Sequence, residues 1–253
     1  MNITAEALQK YKVEWLPRSA AYDPAWVHEN EMGPNALWLS EALCQVMQIN
    51  PGMRVLDLGC GKAMSSIFLA KEYNVEVWAA DLWISPSENL SRIREAGVED
   101  RVFPIYSEAR SLPFADDFFD AIVSLDSYHY YGTDVHYLEN YLLNSLKVGG
   151  QIGIISPASP EPVPSPIRAH LGSEWYWINS IDWWRELWSR TPGLRLELAE
   201  PLSQGWNLWV QWHEFLNACG SRNRPGEITE LEQLLEDGGR YLGFVRMVAR
   251  RQE

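Results

Sequence analysis

Short apolar runs separated by helix-patterned or turn-rich stretches across residues 51–157 predict an α/β fold built on a parallel sheet with both faces covered. The runs are apolar along their whole length, not alternating, as strands buried on two sides require. The stretches between them carry helix periodicity or turn chemistry. The first run ends in Gly59-Cys60-Gly61 and leads into a helix pattern. The chain has 253 residues, of which 46% are hydrophobic, 22% charged and 12% aromatic. That suits one large domain, or a core with a cap, and excludes global disorder.

The elements follow in order. Residues 54–58 form the first strand. Residues 63–73 are helical, with Met64, Ile67, Phe68 and Leu69 near one face. Residues 75–81 are a second strand ending in Asp81. Residues 85–97 are a helix with Ser85 as N-cap, Pro86 first, Glu88 three after the cap and Gly97 as the stop. Strands follow at 102–106 and, after an Asp116-Asp117 turn, at 119–125. Residues 134–146 read as a helix closed by Gly149-Gly150, and 151–156 as the fifth strand. Pro157, Pro160, Pro162, Pro164 and Pro166 then predict a stiff, extended, non-helical loop over an active site. An amphipathic helix at 181–190 puts Trp184, Leu187 and Trp188 on one face. A strand at 194–199, helices at 206–218 and 227–236 and a strand at 241–250 complete the chain. Upstream, helices are expected at 5–13 and 35–47, as an N-terminal cap over residues 1–50.

Twenty-one Lys and Arg against 34 Asp and Glu give −13 at pH 7. Such a chain repels phosphate backbones and anionic lipid heads, so neither nucleic acid nor membrane is an expected partner. Cys44, Cys60 and Cys219 form no C-x-x-C and total an odd number, which reads as reduced, cytoplasmic use. The first ten residues lack the basic and apolar regions of a signal peptide, and no run approaches a membrane span. His28, His136, His170 and His213 lack metal-ligand spacing, so no metal is expected. The 13 Trp are uneven: Trp78 and Trp83 lie between 51 and 157, and the rest flank that block.

Gly59 and Gly61 allow a tight turn and close approach of a ligand to bare backbone. Asp81 ends the next strand, where it can accept hydrogen bonds from two ribose hydroxyls. Together they predict a nucleoside cofactor. A dinucleotide fingerprint wants a third glycine where Met64 stands, so a nicotinamide or flavin enzyme is the weaker reading, and a glycine turn without ligand the weakest.

Asp57-Leu58-Gly59-Cys60-Gly61 resembles the first motif of class I S-adenosylmethionine-dependent methyltransferases. Asp81 is similar to their ribose-binding acid. Ser107 to Phe114 resembles the stretch whose acid, here Glu108 beside Ala109, meets the adenine amino group. Phe119 to Ser124 and Leu146 to Gly150 resemble the fourth strand and the turn into the fifth. Two positions depart from the pattern: Ala63 stands where a small glycine is frequent, and Glu108 where Asp is commoner. The resemblance implies a Rossmann-like doubly wound seven-stranded sheet of order 3-2-1-4-5-7-6, its last strand antiparallel, with helical cap elements. It implies S-adenosylmethionine as cofactor, with S-adenosylhomocysteine as product. It implies cofactor contacts from Asp57, Gly59, Cys60, Gly61, Asp81, Leu82, Trp83, Glu108, Ala109 and the backbone of Leu125. Trp-rich insertions at about 158–180 and 200–240 then open at the carboxyl edge of the sheet.

Methyl transfer needs alignment and water exclusion, and a base only where the acceptor loses a proton. His129 is the expected base, oriented by Asp126. Tyr128, Tyr130, Tyr131, Trp175 and Trp206 are expected to shape the pocket of a small-molecule acceptor. The chain is expected to act as a monomer or homodimer. A different transfer from the same sulfonium, or cofactor binding without catalysis, are the alternatives.

Overall fold

The computed structural model describes residues 3–171, 178–220 and 229–253. The strands are β1 (Arg54–Leu58), β2 (Glu76–Asp81), β3 (Val102–Tyr106), β4 (Phe119–Leu125), β5 (Leu146–Ala158), β6 (Leu194–Pro201) and β7 (Gly243–Arg251). They form one sheet of order β3-β2-β1-β4-β5-β7-β6, with β7 antiparallel to β5 and β6 and the other pairings parallel. This is the Rossmann-like order that the methyltransferase resemblance implies. β1 sits between β2 and β4, so the order in which strands are added reverses beside it, and a crevice opens beyond its carboxyl end.

Alternate residues of the strands feed two apolar cores. Val55, Val77, Val123 and Ile155 face one, and Leu56, Ala80, Ile122 and Ile154 the other. The first core receives α1 (Ala5–Tyr11), α3 (Ala36–Cys44), α4 (Met64–Tyr73), α5 (Pro86–Glu95), α8 (Gly205–Ala218) and Leu234 of α9 (Glu230–Asp237). The second receives α7 (Ile181–Ser189) and the segment after β4. The N-terminal helices thus pack into the same core as α4 and α8. A further short helix, α2 (Pro24–Glu29), precedes α3; Asp23 caps it and Pro24 opens it.

Three local expectations change. Residues 134–146 do not form a regular helix: Leu138–Leu142 is a π-helical turn, followed by a 3-10 turn at Leu143–Ser145. Tyr137, Leu138, Leu142 and Leu143 are all buried, and the wider i→i+5 turn swings Tyr137 and Leu142, and Leu138 and Leu143, closer to a common face than an α-turn does. Gly149 and Gly150 do not end an element; they lie inside β5, where its register against β4 shifts. The proline stretch is not extended throughout. Pro157 belongs to β5, and α6 (Ser165–Leu171) begins with Pro166 in its first turn, where a missing N–H is tolerated.

Among the described residues no helix is long and apolar enough to cross a membrane. Nor does any group of three or more His, Cys, Asp or Glu stand ready to hold a metal ion.

Candidate functional site

A cavity of about 320 Å3 opens at the carboxyl ends of β1, β2 and β4. Its floor is the glycine turn. Gly59 and Gly61 take left-handed φ values of 76° and 53°, which a side chain disfavours. A Cβ on Gly59 would fall 1.9 Å from the Ser127 Oγ, so only bare backbone fits. The N–H groups of Gly59 and Cys60 donate to the Ala80 carbonyl at 2.8 and 3.2 Å, fastening the turn to β2. Ala63 sits at φ 61° as the residue before α4, so a small residue holds the left-handed place there.

Asp81 closes one side. Its Oδ2 accepts the Gly61 N–H at 2.8 Å, and its Oδ1 those of Trp83 and Ile84 at 2.7 and 2.9 Å. A carboxylate offers about four lone-pair sites, so three amides fix this one and leave it an acceptor toward the cavity. Glu108 and Ala109 also line the wall. Glu108 accepts the backbone N–H of Arg110 at 2.7 Å and pairs with its guanidinium at 3.3 Å. Leu82, Trp83, Leu125, Asp126, Tyr130 and Tyr131 complete the sequence-expected residues of the lining.

Asp57 lies one layer deeper. Its Oδ2 accepts the Ser65 and Ser66 hydroxyls, both at 2.6 Å. Burial pushes its carboxyl up to about 6, against the lowering pull of those two hydroxyls. Asp57 is thus placed to brace the glycine turn against α4.

The segment after β4 divides the remaining expectations. Asp126 adopts φ 50°, a left-handed value rare outside glycine. Burial holds its carboxyl well above the ordinary range, and the charge of Glu230 adds to the shift. Tyr131 lines the cavity, and its hydroxyl meets the Ser124 hydroxyl at 2.8 Å and donates to the Leu58 carbonyl at 3.1 Å. Tyr128 and His129 do not line the cavity. Tyr128 packs among Tyr131, Tyr137, Trp184 and Trp188 in the second core. His129 is 2% exposed and its Nδ1 meets the Ser156 Oγ at 3.1 Å. Burial drives its pKa down to about 3, so the ring is neutral near pH 7.

The tryptophans are mostly structural. Trp206 donates its indole N–H to the Leu234 carbonyl at 2.8 Å and is not part of the cavity wall. Trp175 lies outside the described residues. Among the described residues, Trp83 is the tryptophan that lines the cavity. Sequence reasoning missed Asn30, Met32, Gly33 and Pro34, which form the opposite wall. Gly33-Pro34 signals a turn locally, but no short-range pattern says that the turn crosses a glycine loop some 25 residues later.

A glycine turn, a strand-end acid and a cavity at the reversal point of a parallel sheet define a nucleoside-cofactor enzyme. Residues 55–150 match the family model described as a methyltransferase domain. Over 85% of its length the chain is 27% identical to the 27-O-demethylrifamycin SV methyltransferase of Amycolatopsis mediterranei, and it covers 83% of that protein. The Haemonchus contortus phosphoethanolamine N-methyltransferase 2, solved with S-adenosyl-L-methionine, superposes with a TM-score of 0.71 at 17% identity, over 99% of this chain and 58% of that one. The geranyl diphosphate C-methyltransferase of Streptomyces coelicolor superposes with 0.63 at 21% identity, over 84% and 77%. Those two similarities show the shared fold. Together with the site geometry, these matches support a class I S-adenosylmethionine-dependent methyltransferase, and the family-model match spans residues 55–150.

Proposed function

We propose that the protein methylates a hydroxyl oxygen of a bulky, largely apolar small molecule that enters past Trp83 and Tyr130. The observation that carries this reading is the cavity mouth. Trp83 and Tyr130 are 68% and 55% exposed and meet edge-on, ring centroids 5.5 Å apart, with Met32 and Leu82 also exposed on the lining. Large apolar side chains kept in water at a cavity entrance suit an apolar ligand. The Amycolatopsis relative is named for 27-O-demethylrifamycin SV, which supports oxygen as the acceptor atom. The net charge of −13 disfavours a polyanionic acceptor such as nucleic acid.

Bound S-adenosylmethionine supplies a methyl group on a sulfonium, and the residues present fit it. Asp81 accepts from the ribose hydroxyls, Gly59, Cys60 and Gly61 allow close backbone approach, and Glu108 and Ala109 receive the adenine edge. The Leu125 backbone meets the amino end. The chain's task is then alignment and exclusion of water. Asp126 is the group that takes the acceptor's proton. It faces the cavity, and a carboxylate of raised pKa is a stronger base. His129 has neither property: it is buried behind the wall, and an imidazole with a pKa near 3 binds protons weakly. Its bond to Ser156 instead holds the Tyr128–Tyr130 turn to β5. Free Cys44, Cys60 and Cys219 suit a cytoplasmic protein, working as a monomer or homodimer.

Methyl-labelled S-adenosylmethionine, incubated with the protein and a panel of hydroxylated macrocycles, amines and activated-methylene compounds, tests this. Label in a new ether is the expected result. Label found only on nitrogen or carbon contradicts the acceptor assignment, and label that never leaves the cofactor contradicts methyl transfer itself.

A further inference from the structure

The segment from Glu29 to Ala36 crosses the cavity as a strap, tied down from three places. The Lys62 ammonium donates to the carbonyls of Glu29 and Glu31 at 3.0 and 3.4 Å. The Arg92 Nε donates to the Asn30 Oδ1 at 2.9 Å. The Trp212 indole N–H donates to the Gly33 carbonyl at 2.7 Å. Trp212 is fully buried, stacked on Phe215 at 5.1 Å and edge-on to Trp38 at 5.7 Å, so the direction of its N–H is fixed.

Gly33 in turn lies against Asp126. A Cβ on Gly33 would come within 2.8 Å of the Asp126 Oδ2, closer than real contacts allow. Asp126 is fixed from behind, its N–H donating to the Ile155 carbonyl at 2.8 Å. We propose that Trp212 is a positioning residue for the acceptor end of the site: by holding the Gly33 carbonyl, it keeps the strap seated on the Asp126 carboxyl, so that this half-buried group is shielded on the strap side and aimed into the cavity. Lys62 and Arg92 secure the other part of the strap, where Met32 Sδ lies 3.0 Å from the position of a Gly61 Cβ. The strap therefore has separable ends, one at the glycine turn and one at Asp126. The functional weight of this device rests on Asp126 receiving the acceptor's proton, but its test needs no acceptor.

The carboxyl of Asp126 is followed by carbon-13 aspartate NMR across pH in the S-adenosylhomocysteine-bound protein, with Asp126→Asn identifying the resonance. Glu230 at the start of α9 and Tyr130 are the titratable neighbours whose charges couple to it, and His213 lies 3.4 Å from Glu230. Trp212→Phe, which keeps a buried ring and deletes the N–H, is expected to lower the Asp126 midpoint by about one pH unit or more as the strap lifts and more water reaches the carboxyl. Its dissociation constant for S-adenosylmethionine, by calorimetry, stays within about threefold of wild type. Should that variant not fold, Gly33→Ala, which leaves the indole in place and displaces the carboxyl, carries the same expectation for the Asp126 midpoint alone, since Gly33 itself lines the cavity. An unmoved midpoint, a wild-type midpoint in the ordinary carboxylate range, or a parallel loss of cofactor affinity in Trp212→Phe overturns the proposal. Loss of turnover in Asp126→Asn is a separate result, bearing on the proton-acceptor reading alone.

Discussion

Two buried ionisable groups near the glycine turn and β5 push acid stability in opposite directions. Asp57 is raised from 3.8 to about 6 by burial. The native chain then holds that proton more tightly than the unfolded chain, so stability falls as pH rises from about 4 to 6. The full effect is roughly 3 kcal/mol in the cofactor-free protein. Asp57→Asn is expected to remove that slope, seen as denaturant midpoints compared at pH 4 and pH 7. His129 is lowered from 6.5 to about 3 by burial. There the unfolded chain takes the proton first, so stability is lost as pH drops below 6.5. His129→Gln is expected to flatten that acid limb while leaving turnover within about tenfold. Asp126→Asn is expected to lower turnover by about 100-fold or more with cofactor binding retained. A larger turnover loss in His129→Gln than in Asp126→Asn would reverse the assignment of the base. At this scale the sequence reads well where chemistry is local. Gly59, Gly61 and Asp81 are legible because a turn and a strand end announce themselves within 25 residues. The separation of Asp126 from His129 is not, because three residues of turn geometry decide which side chain meets the cavity.

Elements explain the tryptophans. α7 places Trp184 and Trp188 fully buried in the second core, and α8 places Trp209 and Trp212 in the first. The amphipathic pattern of 181–190 already says that such a face is buried; it does not say against which side of the sheet. Trp206, expected near the acceptor, fastens α9 through its bond to Leu234. Trp206→Phe is expected to cost about 1 kcal/mol, with faster hydrogen exchange confined to α9 amides. Equal exchange in wild type and variant would show that the bond contributes nothing. The π-helical turn after β4 and the start of α6 escape sequence reading for different reasons. For the π turn, periodicity assumes a 3.6-residue repeat, and tertiary burial of Tyr137 and Leu142 overrides it. For α6, the proline run reads as extended although Pro166 stands in the first turn, where it is tolerated.

In the whole molecule, the sheet order follows from strands apolar on both faces together with the motif resemblance. The cavity follows from the reversal of strand order between β1 and β4. The strap does not follow, since Gly33 reaches Asp126 and Trp212 only through contacts about 90 and 180 residues away in sequence. The tertiary arrangement thus joins a glycine turn and strand-end acid legible in the sequence to a strap and an Asp126 wall that only the folded chain brings together. On the proposed reading, this cavity binds S-adenosylmethionine through Asp81, and calorimetric titration with S-adenosylmethionine, on wild type and on Asp81→Ala, is the decisive measurement. One-site binding by the wild type, weakened by a factor of about 30 or more in the variant, is the predicted result. Absence of binding by the folded wild type, or equal affinity in Asp81→Ala, would contradict it.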